Sequence, residues 1–386
     1  MKWFGRKSGG GSARPALTRG FGGLVQGDWP RGYESQVRSG YCENAVAQRA
    51  VRLVSEGAGA APITVEPGEV GTGPTPNPSP EGEGDRIVAL VTAPSAGQSL
   101  VETVAAQLLL HGNAFVQVLL DAKGEPGELF ALRPERVSIE ADARGWPAAY
   151  VYRAGEAKTR VPARDGMGRP GLVHIKAMHP LDDHYGLGSL GAAAGAIAIH
   201  NAATRWNKAL LDNAARPSGA LSYDPGKDGG ALSGEQFDRL REELEASFSG
   251  AANAGRPLLL EGGLRWQAMS LTPADMDFVG LKAAAAREIA LAFGVPPMLL
   301  GLPGDATYAN YREANRALWR LTILPLAEKI LGGIARGLSA WRPGVGLRVD
   351  VDRVPAMSED RERLWKQVGA ADFLSDEEKR AMVGIA

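Results

Sequence analysis

With one cysteine, Cys42, in 386 residues, the chain has no second thiol for an internal disulfide, so its fold must rest on packing and hydrogen bonds. Long apolar runs are missing as well. The longest, GAAAGAIAIH from Gly191 to His200, falls far short of the roughly 18 to 20 residues a spanning helix needs. The opening MKWFGRKSGG lacks the apolar stretch of a secretory signal, and the expectation is a chain that remains in the cytoplasm where it is made. A surplus of charge is absent too: 43 Lys and Arg against 44 Asp and Glu give a formal net charge of -1. That balance argues against a tight grip on nucleic acid, which shows as a basic stripe or a high pI, but does not bar transient contact. Nucleophile elbows, P-loops and CxxC pairs do not occur, and the surroundings of Cys42 hold nothing that would activate a thiol.

What the chain does have is enough apolar residue, 44%, to build a sizeable core in two or more domains. A Gly-rich basic leader, residues 1–27, carries Lys2, Arg6, Lys7, Arg14 and Arg19 and reads as a flexible tail. Cys42–Glu56 has helical spacing, and APITVEP after it is strand-like. EPGEVGTGPTPNPSPEGEG, Glu66–Gly84, is a Pro- and Gly-rich exposed loop. GQSLVETVAAQLLLHG reads as an apolar helix closed by His111 and Gly112. The alternating runs AFVQVLLD, ELFALRP, RVSIEA, AAYVYRA and GLVHIKA then predict a mostly antiparallel sheet, so the N-terminal half is α+β.

From Gly186 the pattern becomes a long Ala-rich helix running to about Ala214. A strand (SGALSY), a helix capped by Ser233 with Gln236, and a second strand (GRPLLLEGG) follow. Thr272, with Pro273 and Asp275, is expected to open another helix that stops at Gly294 before Pro296 and Pro297. The next helix begins near Tyr308, with Tyr311, Ala314, Leu318 and Leu321 predicted as its inner face and a kink expected at Pro325, since apolar spacing resumes at Ile330. The strand VGLRVDVDRV and two short helices capped by Ser358 and Ser375 end the chain.

Two motifs suggest chemistry. GLGSLG, Gly186–Gly191, fits the G-x-G-x-x-G of a dinucleotide site, but no strand runs straight into it and no second strand returns at the right distance; close packing of small residues is the plainer account. His174, His179 and His184 lie beside Asp182 and Asp183, yet their five-residue spacing does not put two on one helical turn, and no metal site is predicted. Glu242, Glu243 and Glu245 with Arg239 and Arg241 form a charged helix face suited to solvent or subunit contact. The reading is of a non-enzymatic, structural chain with no cofactor.

Four blocks in a particular order carry a family resemblance: LLLHGNAFVQVLLDAKGEPGELFALRPERV, HPLDDHYGLGSLGAAAGAIAIHNAATRWNKALLDNAARPSGAL, REIALAFGVPPMLLGLPGDATYANYREANRALWRLTILP and FLSDEEKRAMVG. From about Tyr41 onward the chain resembles the portal proteins of long-tailed bacteriophages and phage-like gene transfer agents. The resemblance implies a ring of twelve copies at one capsid vertex, in a virion assembled in a bacterial cytoplasm. Double-stranded DNA would be packaged and ejected through it, and terminase, head-tail adaptor and major capsid protein would be its partners, with no membrane involved. It also implies a portal fold: a wing (28–180, rejoined by 308–354), two stem helices (181–214 and 273–293), a small α/β clip (215–272), a tunnel loop (294–307) and a short helical crown (355–386).

On that basis Leu299, Leu300, Leu302, Pro303 and Asp305 are expected at the channel, Pro325 at a helix kink, and Glu235, Asp238, Arg239 and Glu242 at the clip surface that docks partners. The alternatives are an NAD(P)-binding enzyme built on Gly186–Gly191, and a minor virion protein with no channel.

Overall fold

The computed structural model describes residues 32–67, 83–95, 97–212, 219–223, 233–236, 238–240, 242, 264–268, 277–302 and 307–383. The elements run α1 (Tyr33–Val37), a π turn (Arg38–Cys42), α2 (Ala45–Gly59), β1 (Ile63–Pro67), α3 (Glu83–Thr92), a minimal ribbon of β2 (Pro94–Ser95) and β3 (Gln98–Ser99), and α4 (Leu100–Leu110). Strands β4 (Asn113–Leu120), β5 (Pro126–Leu132), β6 (Val137–Ala141), β7 (Pro147–Ala154), β8 (Ala157–Pro162) and β9 (Leu172–Lys176) follow. Then come α5 (Ser189–Asp212), the strands β10 (Gly219–Tyr223) and β11 (Leu264–Ala268), α6 (Phe278–Ala292), α7 (Tyr308–Leu318), a second π turn (Trp319–Ile323), α8 (Leu324–Leu338), β12 (Val345–Val349), α9 (Ser358–Gly369) and α10 (Asp376–Val383). The fold is mixed helix and strand, as the sequence pattern indicates.

The expected sheet is antiparallel but divided in two: β5-β4-β9 and β6-β7-β8. All five predicted strands are present. β8 was not foreseen, because AKTRVP is almost wholly exposed at a sheet edge and so carries no apolar alternation. Three of the strand-to-strand connections, β4–β5, β6–β7 and β8–β9, share one device, D-x-x-G-x. Asp121, Asp142 and Asp165 each accept two backbone N–H bonds, from the residues two and four positions on, while Gly124, Gly145 and Gly168 take φ of 77°, 85° and 78°.

β4 connects two cores because its alternate residues point to opposite faces. Ala114, Val116 and Val118 join the main core with α2, α4 and α8, whereas Phe115 turns into a small second core with Leu132, Val137, Tyr150 and Leu172. The main core also joins the two ends of the chain, since β1 pairs antiparallel with β12 and α8 lies on β9. That last contact is close: a Cβ at Gly333 would stand 2.8 Å from Ile175 Cγ1, and one at Gly337 would stand 2.2 Å from Val173 Cγ2.

α5 is anchored by a buried polar joint. Asn44 caps α2 by accepting from Ala47 N (2.9 Å), and its amide donates to Asn201 Oδ1 (2.8 Å); Asn201 in turn donates to Ser39 O (2.8 Å). Its 24 residues give α5 a length of about 36 Å. α6, described over 15 residues, packs along it and spans about 22 Å. That helix was expected to open at Thr272, Pro273 and Asp275, which lie outside the described residues; it opens instead at Phe278, where Asp277, at φ 38°, caps it by accepting from Gly280 N (3.1 Å). Also outside the described residues are the leader, residues 68–82 of the Pro-rich loop and the strand expected at 255–263. The strand seen to pair with β10 is the next segment, β11.

Three local expectations are corrected. Ser358 does not cap α9: it is the helix's first residue, and its hydroxyl donates to Pro355 O (3.0 Å), whereas Ser375 does cap α10 in a reciprocal box with Glu378. Of the predicted inner face of α7, only Leu318 is buried; Tyr311 and Leu321 are 54% and 68% exposed. For Leu321 the physical reason is the π turn, in which Leu324 N reaches back to Trp319 O, so the wider turn rotates Leu321 outward and Ile323 inward; Tyr311 lies before it, in a stretch, 308–313, that is exposed throughout. Finally, the interruption expected at Pro325 begins upstream, at Trp319, and Pro325 occupies the first turn of α8, where its missing N–H is not needed.

Candidate functional site

The loop between α6 and α7 is built from both sides. Phe293 and Val295 are buried, and between them Gly294 turns at φ 66°, where a Cβ would meet Thr322 Oγ1 at 2.7 Å. The Thr322 hydroxyl, carried on the π turn, donates to Gly294 O (2.7 Å), so the loop's entry is tied to the helix at its exit. Pro297–Leu300 forms a short 3-10 helix that ends at Gly301 with φ 71°. Leu299 and Leu300 are half-buried and pack against the main core; Leu302 is half-buried, and Pro303 and Asp305 lie outside the described residues. Thr307 reopens the chain as helix by capping α7 through Asn310 N (3.2 Å).

Past that cap, Tyr308–Glu313 are all exposed. α7 is held to α9 by charge. Arg316, only 12% exposed, is bracketed by Glu313 (3.1 Å), Glu359 and Asp360 (3.7 Å), and Arg312 reaches Glu359 at 2.8 Å. Neither this clamp nor the Thr322 tie was legible in the sequence: the partners are far apart along the chain and belong to no motif.

Gly112 and Asn113, at the start of β4, act as a bracket. Asn113, 1% exposed, accepts from Gly186 N (2.7 Å) on Oδ1 and donates through Nδ2 to Gly186 O (3.1 Å), while Gly112 O accepts from Ala177 N (2.8 Å). Backbone meets backbone here: a Cβ on Gly186 would lie 2.0 Å from Gly112 O, and one on Gly188 would lie 2.6 Å from Leu110 O. The first two glycines of GLGSLG are therefore consumed in packing, and the Gly186 N–H is not free for a pyrophosphate. That geometry disfavours the dinucleotide reading.

His174 completes the bracket, with Nε2 3.0 Å from Asn113 Oδ1 and its ring stacked on Phe115 at 4.3 Å between centroids. Because Oδ1 only accepts, the proton sits on Nε2 in the neutral tautomer. Burial is the largest cause that lowers its pKa from 6.5 to about 4, with the nearby Lys176 adding to it. Among the described residues no group of three or more His, Cys, Asp or Glu could hold a metal ion.

A pH dependence follows. Between about 6.5 and 4 the unfolded chain binds a proton at His174 that the folded chain refuses, so stability falls as pH drops through that window, by roughly 3 kcal/mol for the full shift. His174→Gln retains a donor toward Asn113 and should show a flatter stability-pH curve between pH 7 and 4.5 in thermal unfolding. Curves of equal slope would remove His174 from the effect.

The predicted clip residues are described only in part. Residues 234–236, 238–240 and 242 are helical, opened by the Ser233 and Gln236 box, and Glu235, Asp238, Arg239 and Glu242 are all exposed.

The family model described as phage portal protein matches residues 45–384. The chain belongs to the phage portal protein family. Among solved structures, a chain from the neck of a native gene transfer agent (GTA) particle, computed with C12 symmetry, is 45% identical and has a TM-score of 0.68, with 93% of this chain and 94% of that one covered. A Rickettsia felis protein described as uncharacterized is 41% identical over 89% of this chain and 87% of its own. The probable portal protein of Streptomyces phage phiC31 is 28% identical over 60% of this chain and 50% of its own. Portal family membership makes the chain structural, and the bracket, the loop and the α5–α6 pair are parts of a portal fold.

Proposed function

We propose that this chain is one of twelve copies in a closed ring at a capsid vertex, through which double-stranded DNA is packaged and later ejected. The observation that carries the reading is the high likeness, over nearly the whole chain, to a protein of a particle neck with C12 symmetry. In this reading the sheets and the α2–α4–α8 core form the wing, α5 and α6 the stem, β10 and β11 with the helix between them the clip, and α9 and α10 the crown. The exposed charged helix with Glu235, Asp238, Arg239 and Glu242 is the surface offered to terminase during packaging and to the head-tail adaptor afterwards; the wing meets the major capsid protein. The near-neutral chain suits a conduit, since a basic wall would hold DNA by its phosphates. The chain performs no bond-making chemistry.

Electron microscopy of the purified protein, viewed down the particle axis, is expected to show uniform rings with a central hole. A solitary compact molecule would overturn the reading. Because Leu299 and Leu300 help to fill the core, the loop is best tested by removing residues 302–306 alone. Rings are expected to form normally while packaged DNA falls by an order of magnitude or more; an assembly defect instead would place this loop between subunits.

A further inference from the structure

Three large apolar side chains are left uncovered by the described chain on one loop, residues 177–188, between β9 and α5. Met178 is 77% exposed, Leu181 72% and Leu187 50%. A mobile loop could fold such residues away, but this one is held in shape. Gly112 O accepts from Ala177 N (2.8 Å), Leu181 N donates to His179 Nδ1 (3.0 Å), and Asp182 Oδ1 accepts from His184 N (2.7 Å) and Tyr185 N (2.9 Å). The Tyr185 hydroxyl accepts from Ile139 N (2.9 Å), and the Asn113 amide holds both the N–H and the carbonyl of Gly186. Single exposed apolar residues are ordinary, whereas three on a fixed loop make a surface that a further segment gains by covering.

We infer that residues 21–30 of the same copy, FGGLVQGDWP, dock on this loop, with Leu24, Val25 and Trp29 covering Met178, Leu181 and Leu187. The place where the described chain begins favours that occupant. Tyr33 packs edge-on against His111, with 4.6 Å between ring centroids. Gly112 comes next in the chain, and a Cβ there would lie 2.4 Å from the Leu187 carbonyl carbon. Only His111 and Gly112 therefore stand between Tyr33 and the loop.

Reach and composition both fit. Trp29 precedes Tyr33 by four residues, which span up to about 13 Å when extended, and Leu24 precedes it by nine, which span up to about 30 Å. The segment supplies Phe21, Leu24, Val25, Trp29 and Pro30 as apolar side chains. Arg19 and Arg31 flank it, and the loop carries Asp182 and Asp183 to meet them. So short a tether keeps the segment at high effective concentration over its own loop, which favours docking within one copy over exchange between copies. The consequence is a fixed point of departure: Lys2, Arg6, Lys7, Arg14 and Arg19 would leave the subunit beside the joint of α4 and the loop.

The full chain contains its own control, because Met167, on the β8–β9 connection, is 77% exposed like Met178. Dilute hydrogen peroxide converts exposed methionine to the sulfoxide, which mass spectrometry reads in separate tryptic peptides for these two. Met178 is expected to oxidise at least about fivefold more slowly than Met167 in the unsubstituted chain. The two rates should become equal in the full chain carrying Leu24→Ser, Val25→Ser and Trp29→Ser, while the buried Met357 stays unreacted as the mark of an intact fold. Equal rates in the unsubstituted chain would overturn the docking. Protection that survives the three substitutions would overturn it too, since another copy or another protein would then cover the loop. In a second variant Cys42→Ser removes the exposed thiol, and Asp28→Cys with Asp183→Cys, joined by a short bismaleimide, is expected to yield the linked peptide in a chain that still runs as a monomer on a denaturing gel. Covalent dimers would assign the segment to a neighbouring copy, and no linkage would remove it from the loop; either result overturns docking within one copy.

Discussion

Gly186→Ala is expected to destabilise the subunit by more than about 3 kcal/mol, enough to deplete soluble protein, although it adds a single methyl group. The added Cβ would stand 2.0 Å from Gly112 O, 2.7 Å from Ala177 N and 2.8 Å from Ala177 O, all backbone atoms that no side-chain rotation can clear. Relief would require separating the segment after β9 from the end of α4, and that in turn would break both hydrogen bonds between the Asn113 amide and the Gly186 backbone, leaving the Gly186 N–H and carbonyl without them. An unsatisfied buried polar group adds about 1–3 kcal/mol of its own. Gly191→Ala, three residues into α5 with nothing within 4 Å of the added Cβ, provides the control and should be neutral or stabilising by up to about 1 kcal/mol. The contrast separates two uses of GLGSLG: a packing joint fails at Gly186 and tolerates Gly191. Equal losses at the two positions, measured by denaturant unfolding, would sink the joint.

The second large effect is expected at Gly337. In Gly337→Val the new Cβ would sit 2.2 Å from Val173 Cγ2 and 3.0 Å from Val173 Cγ1, between α8 and β9. Val173 is buried and β-branched, so it has one comfortable rotamer and little room to yield. α8 would have to lift from the sheet, opening the contact that also involves Gly333 and Ile175, at a cost of about 3 kcal/mol or more. Gly332→Ala, whose Cβ would meet only the Arg336 guanidinium at 3.5 Å, should be mildly stabilising. A fall in melting temperature for Gly332→Ala as large as for Gly337→Val would show that helix propensity, not packing on β9, is being measured.

Particular elements show how far the sequence could be read. Strands β4, β5, β6, β7 and β9 were evident as short runs of apolar and β-branched residues between turn residues, although β4 buries both of its faces, and β8 was not because it buries almost nothing. Asn44, Ser99, Ser233, Thr307 and Ser375 act at helix starts through contacts within four residues, but the sequence reading named only Ser233 and Ser375 of these, together with Ser358, which the fold uses otherwise. The loop at Gly294 was legible through its glycine and double proline. Thr322, which holds it, was invisible, since a threonine inside a helix gives no sign that its hydroxyl reaches a carbonyl far back in the chain. The Arg316 clamp was hidden for the same reason: ionic partners brought from separate helices leave no spacing to detect.

By itself the sequence determined what depends on neighbours in the chain: which stretches are helix or strand, where glycine and proline stop them, the lack of covalent staples, and the order of blocks that marks the family. Only the tertiary structure decided how glycines are spent, turning an apparent phosphate loop into a crossing of backbones, and it divided one expected sheet into two. It also moved the break in the long helix from Pro325 to a π turn. The physical reason is range. Backbone torsion and side-chain periodicity act over one or two turns, whereas closest approach between distant segments is settled only when the whole chain has packed.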